Sequence, residues 1–96
     1  MPLVSVLMPC YNAAATLEQT LDSLTHQTFD DFEIVAVDDG SEDSTLSILN
    51  ACARQNPRLQ VFTQTHQGII AALNEGLLSC QASYVARMDA DDYAYP

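Results

Sequence analysis

Phe32-Glu33-Ile34-Val35-Ala36-Val37-Asp38-Asp39-Gly40-Ser41 is a short apolar run that stops in two carboxylates and a glycine. Such a run, rich in β-branched residues and bounded by a turn signal, reads as a buried strand from Phe32 to Val37. Gly40 to Asp43 then turns the chain. Ser44 or Asp43 is placed to cap a helix with Leu46, Leu49 and Ala53 on one face, ending near Asn56-Pro57. Outward from this unit the same alternation continues. Leu3 to Met8 predicts a strand stopped by Pro9. Thr16-Leu17-Glu18-Gln19 matches a capping box, with Thr16 as N-cap of a helix running through Leu17, Leu21 and Leu24 to about Thr25. Leu59 to Thr63 predicts a third strand. Gly68 precedes a helix marked by Ile69, Ala72, Leu73, Gly76 and Leu77, and Tyr84 to Met88 predicts a fourth strand. Strands alternating with helices imply an α/β fold: a mostly parallel sheet of about four strands with helices on both faces.

In open sheets of this kind, ligands sit beyond the carboxyl ends of the strands. Three sequence-distant segments fall on that rim: Pro9 to Asn12, Asp38 to Ser41, and Asp89-Ala90-Asp91-Asp92. Carboxylates packed this densely repel unless a cation or a proton lies among them. Magnesium typically takes one or two protein carboxylates and completes its shell with waters and phosphate oxygens. An isolated D-x-D is an ordinary solvated turn, but its place after a buried strand, on one rim with a second acidic knot, favours a metal site. Asp38-Asp39 reads either as a strand-to-helix turn, with carboxylates near a helix N-terminus, or as an acceptor for a base N–H or a sugar hydroxyl. Tyr11 stacks on a ring or fills the strand end. His66 is expected at the surface of a loop facing the rim rather than in contact with a ligand, and His26 in a loop. Arg87 is expected to neutralise the neighbouring aspartates rather than to touch phosphate.

Composition narrows the classes. Lys+Arg number 3 against 13 Asp+Glu, a net charge of -10, and there is no lysine. Nucleic-acid binding needs clustered cations for counterion release and is excluded as an expectation. An anionic membrane surface is disfavoured for the same reason. No apolar run approaches the roughly 20 residues of a bilayer span. Cys10, Cys52 and Cys80 have no metal-ligand spacing and read as reduced thiols. The glycines are too dispersed for G-x-G-x-x-G, and G-K-[ST] is absent, so a phosphorylated ligand would need a metal to offset its charge.

With these residues in place, the chain resembles the N-terminal half of family 2 glycosyltransferases. The resemblance runs from Val4 to Pro96. It rests on Val4-Ser5-Val6-Leu7-Met8-Pro9-Cys10-Tyr11-Asn12, Ser23-Leu24-Thr25-His26-Gln27-Thr28-Phe29, Val37-Asp38-Asp39-Gly40-Ser41, Ala72-Leu73-Asn74-Glu75-Gly76 and Ala86-Arg87-Met88-Asp89-Ala90-Asp91-Asp92, in order. The resemblance implies a Rossmann-like GT-A fold and metal-dependent transfer, of the inverting kind, from a nucleotide-diphosphate sugar, commonly a UDP-sugar. The acceptor, a sugar or a lipid-linked molecule, stays open. By the same resemblance Pro9 and Tyr11 line the base pocket. Asp39 accepts from the base with Asp38 at its side, Asp91 ligates Mn or Mg, and Asp89 contacts the ribose or the metal shell. Asp92 is a less certain ligand. The resemblance further implies a cytoplasmic site of action, at or near the inner face of a membrane, in bacterial polysaccharide synthesis.

The family's catalytic base is expected beyond Pro96. The 96 residues are therefore expected to be the donor-binding part alone, inactive in isolation and able to self-associate through the uncovered sheet. The runner-up is a non-catalytic nucleotide-sugar or metal-binding module. A receiver-type signalling domain shares the acidic strand ends but needs a lysine that this chain lacks.

Overall fold

In the computed structural model, residues 4–25 and 31–88 are described. The elements are β1 (Val4–Cys10), α1 (Ala14–Thr25), β2 (Phe32–Asp39), α2 (Thr45–Gln55), β3 (Leu59–Gln64), α3 (Ile69–Ser79) and β4 (Tyr84–Arg87). The strands form one parallel sheet in the order β3-β2-β1-β4. The predicted α/β alternation holds in type and order.

Two strands run further than the sequence suggested. β2 includes both Asp38 and Asp39, paired with Thr63 and Gln64 of β3. β1 passes through Pro9 to Cys10, so the expected stop at Pro9 is corrected. The reason lies in the pairing. Leu7 O accepts from Met88 N, which places the polar groups of alternate residues Leu7 and Pro9 on the β4 flank. Among the described residues β4 pairs with β1 as far as Leu7↔Arg87, so no described strand residue lies opposite the N–H that proline lacks.

Alternation along β2 divides the core. Phe32, Ile34 and Ala36 pack with Val6, Met8, Leu17, Leu21, Leu24 and Leu49, burying α1 and α2 on one face. Val35 and Val37 pack with Leu7 and Ala72, burying α3 on the other. Helices therefore cover both faces, as expected. The chain steps from β1 through β2 to β3 and then returns to the far side of β1. Crossovers of one hand put helices on opposite faces when the direction of travel reverses. The reversal creates a crevice between β1 and β4, where open α/β sheets bind ligands.

Gly76 sets the seating of α3. A Cβ there would collide with Leu7 Cδ1 and come within 3.1 Å of Val37 Cγ2. The opposite surface of α3 is different in character: Ile70 and Leu78 are 73% and 84% exposed, and Tyr84 and Val85 of β4 are exposed as well.

Candidate functional site

The carboxyl ends of the strands enclose a cavity of about 580 Å³. Its wall includes Pro9, Cys10 and Tyr11 from the end of β1, Asp39 from the end of β2, His66 and Gly68 from the β3–α3 connection, and Ile69 at the start of α3. A volume of this size suits a small-molecule ligand.

Alternation at the end of β2 separates the two aspartates. Asp39 follows Val37 to the α3 face, lies at the cavity, and is 3% exposed. Its Oδ1 accepts from Gln64 Nε2 at 2.7 Å and from the Gln67 N–H at 2.9 Å. Its Oδ2 accepts from the Gly68 N–H at 3.0 Å and lies 3.0 Å from His66 Nδ1. Burial alone would raise the carboxyl's pKa. The bonds from Gln64, Gln67 and Gly68, with the charge of His66, outweigh it and hold the group below the usual carboxylate value. Asp39 thus ties the β3–α3 loop, at the N-terminal end of α3, to the end of β2.

Asp38 takes the other direction. It is buried at 2% exposure opposite Cys10 and is not among the residues lining the cavity, whereas Asp39 is. The physical cause is the two-residue repeat of a strand, which sends neighbours to opposite faces. Thr63 Oγ1 donates to Asp38 Oδ2 at 3.5 Å, and Oδ1 has no partner among the described residues. Burial, with the charge of Asp38 second, pushes the Cys10 thiol up to about 12. That thiol stays protonated and is neither a nucleophile nor a ready metal ligand.

Tyr11 and His66 stack at the cavity wall, ring centroids 4.3 Å apart and planes inclined by 26°. Tyr11 is 44% exposed, so it does not merely fill the strand end. His66 is at the surface, as expected, but it also lines the cavity and meets both Tyr11 and Asp39, which a lone loop histidine in the sequence did not signal. Gly40 makes this approach possible. Its φ is 67°, and a Cβ there would lie 2.6 Å from His66 N.

Asn12 is a second residue whose role the sequence concealed. Its φ is 49°, a left-handed value that asparagine tolerates. Its N–H donates to Ser41 Oγ at 2.9 Å, and its Oδ1 accepts from the Glu42 N–H at 2.8 Å. The exits of β1 and β2 are thereby stapled together. Only the D-G-S turn and an asparagine after a strand hint at it locally.

The predicted metal residues Asp89 and Asp91, with Asp92, lie outside the described residues, as does His26. Among the described residues no group of three or more His, Cys, Asp and Glu side chains could hold a metal ion. The last described residue, Met88, donates to Leu7 O, so β4 leaves the sheet at the same rim as Tyr11. No helix among the described residues is long and apolar enough to cross a membrane.

This geometry has known relatives. Residues 5–96 match the family model for glycosyl transferase family 2, and the chain belongs to that family. It is 39% identical over 94 residues to an uncharacterized glycosyltransferase of Haemophilus influenzae, covering 97% of this chain and 38% of that protein. It is 36% identical over 95 residues to a chondroitin synthase of Pasteurella multocida, covering 99% of this chain and 10% of that one. Among solved structures, S. aureus TarS 1-349 in complex with UDP-GlcNAc superposes with a TM-score of 0.88 at 34% identity, over 95% of this chain and 27% of TarS. The mannosyltransferase PcManGT of Pyrobaculum calidifontis, in complex with GDP-Man and Mn2+, superposes with a TM-score of 0.89 at 33% identity, over 99% of this chain and 29% of that chain. The chain therefore spans 10% to 38% of the lengths of these relatives. Its four-stranded α/β sheet is that of GT-A glycosyltransferases.

Proposed function

We propose that this chain is the donor-binding part of a glycosyltransferase that uses a nucleotide-diphosphate sugar, with a UDP-sugar favoured. The observation that carries the proposal is the cavity at the carboxyl rim of the sheet, where Pro9 and Tyr11 from the end of β1 meet Asp39 from the end of β2. Relatives of the same fold bind UDP-GlcNAc and GDP-Man, which supports the reading. In it, Pro9 and Tyr11 form an apolar, ring-bearing wall for the base. Asp39 shapes the pocket by anchoring the β3–α3 loop, and Asp38 supports the β1 end from behind.

Asp89 and Asp91 follow β4 in sequence and would hold Mn or Mg. Such an ion offsets the charge of a diphosphate against a chain of net charge -10 and stabilises the leaving nucleotide. A hard cation suits a set of carboxylate oxygens, and Cys10, with its thiol held protonated, is not suited to join them. The base that activates the acceptor hydroxyl is expected outside these residues, so the chain alone binds donor without transferring sugar.

Calorimetry with UDP, GDP and dTDP, with and without Mn, tests this. Binding is expected with Mn and at least tenfold weaker in EDTA, and Asp91→Ala is expected to remove the metal dependence. Equal UDP affinity with Mn and with EDTA would overturn the metal assignment, and rapid sugar transfer by the 96-residue chain would overturn the division of labour.

A further inference from the structure

A strand takes its register from the face it buries, because a slip of one residue turns every side chain to the other face. β4 lacks that constraint. It has four residues, Tyr84–Arg87, and all of them are exposed. Among the described residues it pairs with β1 alone, yet it holds one register, from Val4↔Tyr84 to Leu7↔Arg87.

The contacts that fix it lie at the amino end of the sheet, where the chain enters β4. Ser5 and Glu33 are register partners on the two central strands, 0% and 5% exposed. Ser5 Oγ donates to Glu33 Oε2. Glu33 Oε2 also accepts from the Gln81 N–H at 2.8 Å, and Ser5 Oγ accepts from the Ala82 N–H at 3.1 Å. Gln60 Nε2 donates to Glu33 Oε1 at 2.9 Å and steadies the carboxylate from β3. Two consecutive backbone N–H groups are thus held by side chains of the central strands, just before Tyr84 takes its place beside Val4. A one-residue slip moves a strand by about 3.3 Å, which breaks both bonds and leaves a buried carboxylate short of a donor.

We propose that the Ser5–Glu33 pair is the register lock of β4 and the positioning element for the carboxylates that follow it. The proposal rests on the metal reading of Asp89 and Asp91 given above. By count along the chain, a slip in one direction puts Ala90 and Asp92 where Asp89 and Asp91 belong, and a slip in the other puts Met88 and Ala90 there. Either slip removes at least one carboxylate of the pair. Glu33 and Ser5 therefore act on the donor site from the opposite end of the sheet, as positioning residues that touch no ligand.

Amide hydrogen exchange and Mn affinity, the latter by electron paramagnetic resonance, decide it on the 96-residue chain. The Met88 N–H donates to Leu7 O and reports the β4 register, while the Ile34 N–H donates to Arg58 O and reports the sheet at large. Glu33→Gln keeps the side chain's size but puts an amide group, which accepts nothing, in place of one carboxylate oxygen. Met88 protection relative to Ile34 should fall about tenfold, the scale of one lost charge-assisted hydrogen bond, and Mn affinity should fall about tenfold with it. Ser5→Ala leaves Glu33 bonded to Gln60 and Gln81 and should give smaller losses of both, so it serves if the Gln variant does not fold. Leu49→Ala opens the core on the other face of the sheet and should keep both the Met88:Ile34 ratio and the Mn affinity within about twofold. Unchanged exchange ratios in both lock variants would overturn the lock. A fallen ratio with unchanged Mn affinity would overturn the positioning role, as would an equal Mn loss in Leu49→Ala. If the unmodified chain binds no Mn, the metal reading fails and the positioning role with it, while the exchange ratio still decides the lock.

Discussion

A methyl group added at Gly40 would lie 2.6 Å from His66 N, at a residue whose φ of 67° already disfavours any side chain. Left-handed backbone alone costs an L-residue roughly 1–2 kcal/mol. Gly40→Ala is therefore expected to lower stability by at least that amount, read by urea denaturation, and to weaken nucleotide binding because the His66 loop is pushed out. Asp39 acts on the same loop by charge. Its folded-state pKa lies below the ordinary aspartate value, so its contribution to stability is complete above about pH 3.9 and is lost as pH falls through the lower folded value. Asp39→Asn should be destabilising at pH 7, with the gap from the unmodified chain narrowing on acidification. Denaturant midpoints that stay equally far apart at pH 7 and pH 3 would contradict this.

The helices owe their starts to contacts that no local window contains. The capping box expected at Thr16 is not used. α1 begins at Ala14, three residues before the Leu17 start that a Thr16 cap implies, and Thr16 Oγ1 donates to the Ala13 carbonyl at 3.5 Å from within the first turn. The first N–H groups are met from across the rim, Ala13 N by Thr45 Oγ1 at 2.8 Å and Ala14 N by Asp43 Oδ2 at 3.2 Å. Asp43 Oδ1 in turn accepts from Thr45 N at 2.9 Å, so Asp43 rather than Ser44 caps α2. One aspartate thus serves two helices. Thr45 is fully buried, and Thr45→Val, which keeps its shape, should cost about 1–3 kcal/mol by orphaning the Ala13 N–H. Gly76→Ala should cost about 1–3 kcal/mol by overpacking α3 against Leu7. In a double-mutant cycle Leu7→Ala should relieve part of that loss, a coupling that is absent if the two sites are independent.

Across the whole chain, burial is uneven. The α1/α2 face is closed, and a buried carboxylate closes the sheet's amino end on the α3 face. Glu33 accepts from Ser5 Oγ, from Gln60 Nε2 at 2.9 Å and from the Gln81 N–H at 2.8 Å, tying three segments together. The outer surface of α3, through Ile70, Leu77 and Leu78, and both sides of edge strand β4, through Tyr84 and Val85, remain apolar and exposed. Sedimentation over a concentration series should show association that Ile70→Ser with Leu78→Ser suppresses, with folding stability changed by no more than about 0.5 kcal/mol. A single monomer boundary at every concentration would remove that expectation.

The order of strands and helices was legible from residue pattern alone, because alternation of buried runs with amphipathic ones is a local property. Val35-Ala36-Val37 could hardly be anything but an inner strand, and Leu17, Leu21 and Leu24 any face but a buried one. The place of Asp39 at the rim was legible too, since the carboxyl ends of parallel strands share one edge of the sheet. The partners were not. That Asp39 faces the α3 loop while Asp38 faces Cys10, that Asp43 caps a helix 29 residues away, and that His66 lies on Tyr11 depend on strand register and on which face each crossover helix covers. Hydrogen bonds between residues distant in sequence exist only once the sheet has brought its ends together, so tertiary packing decided them.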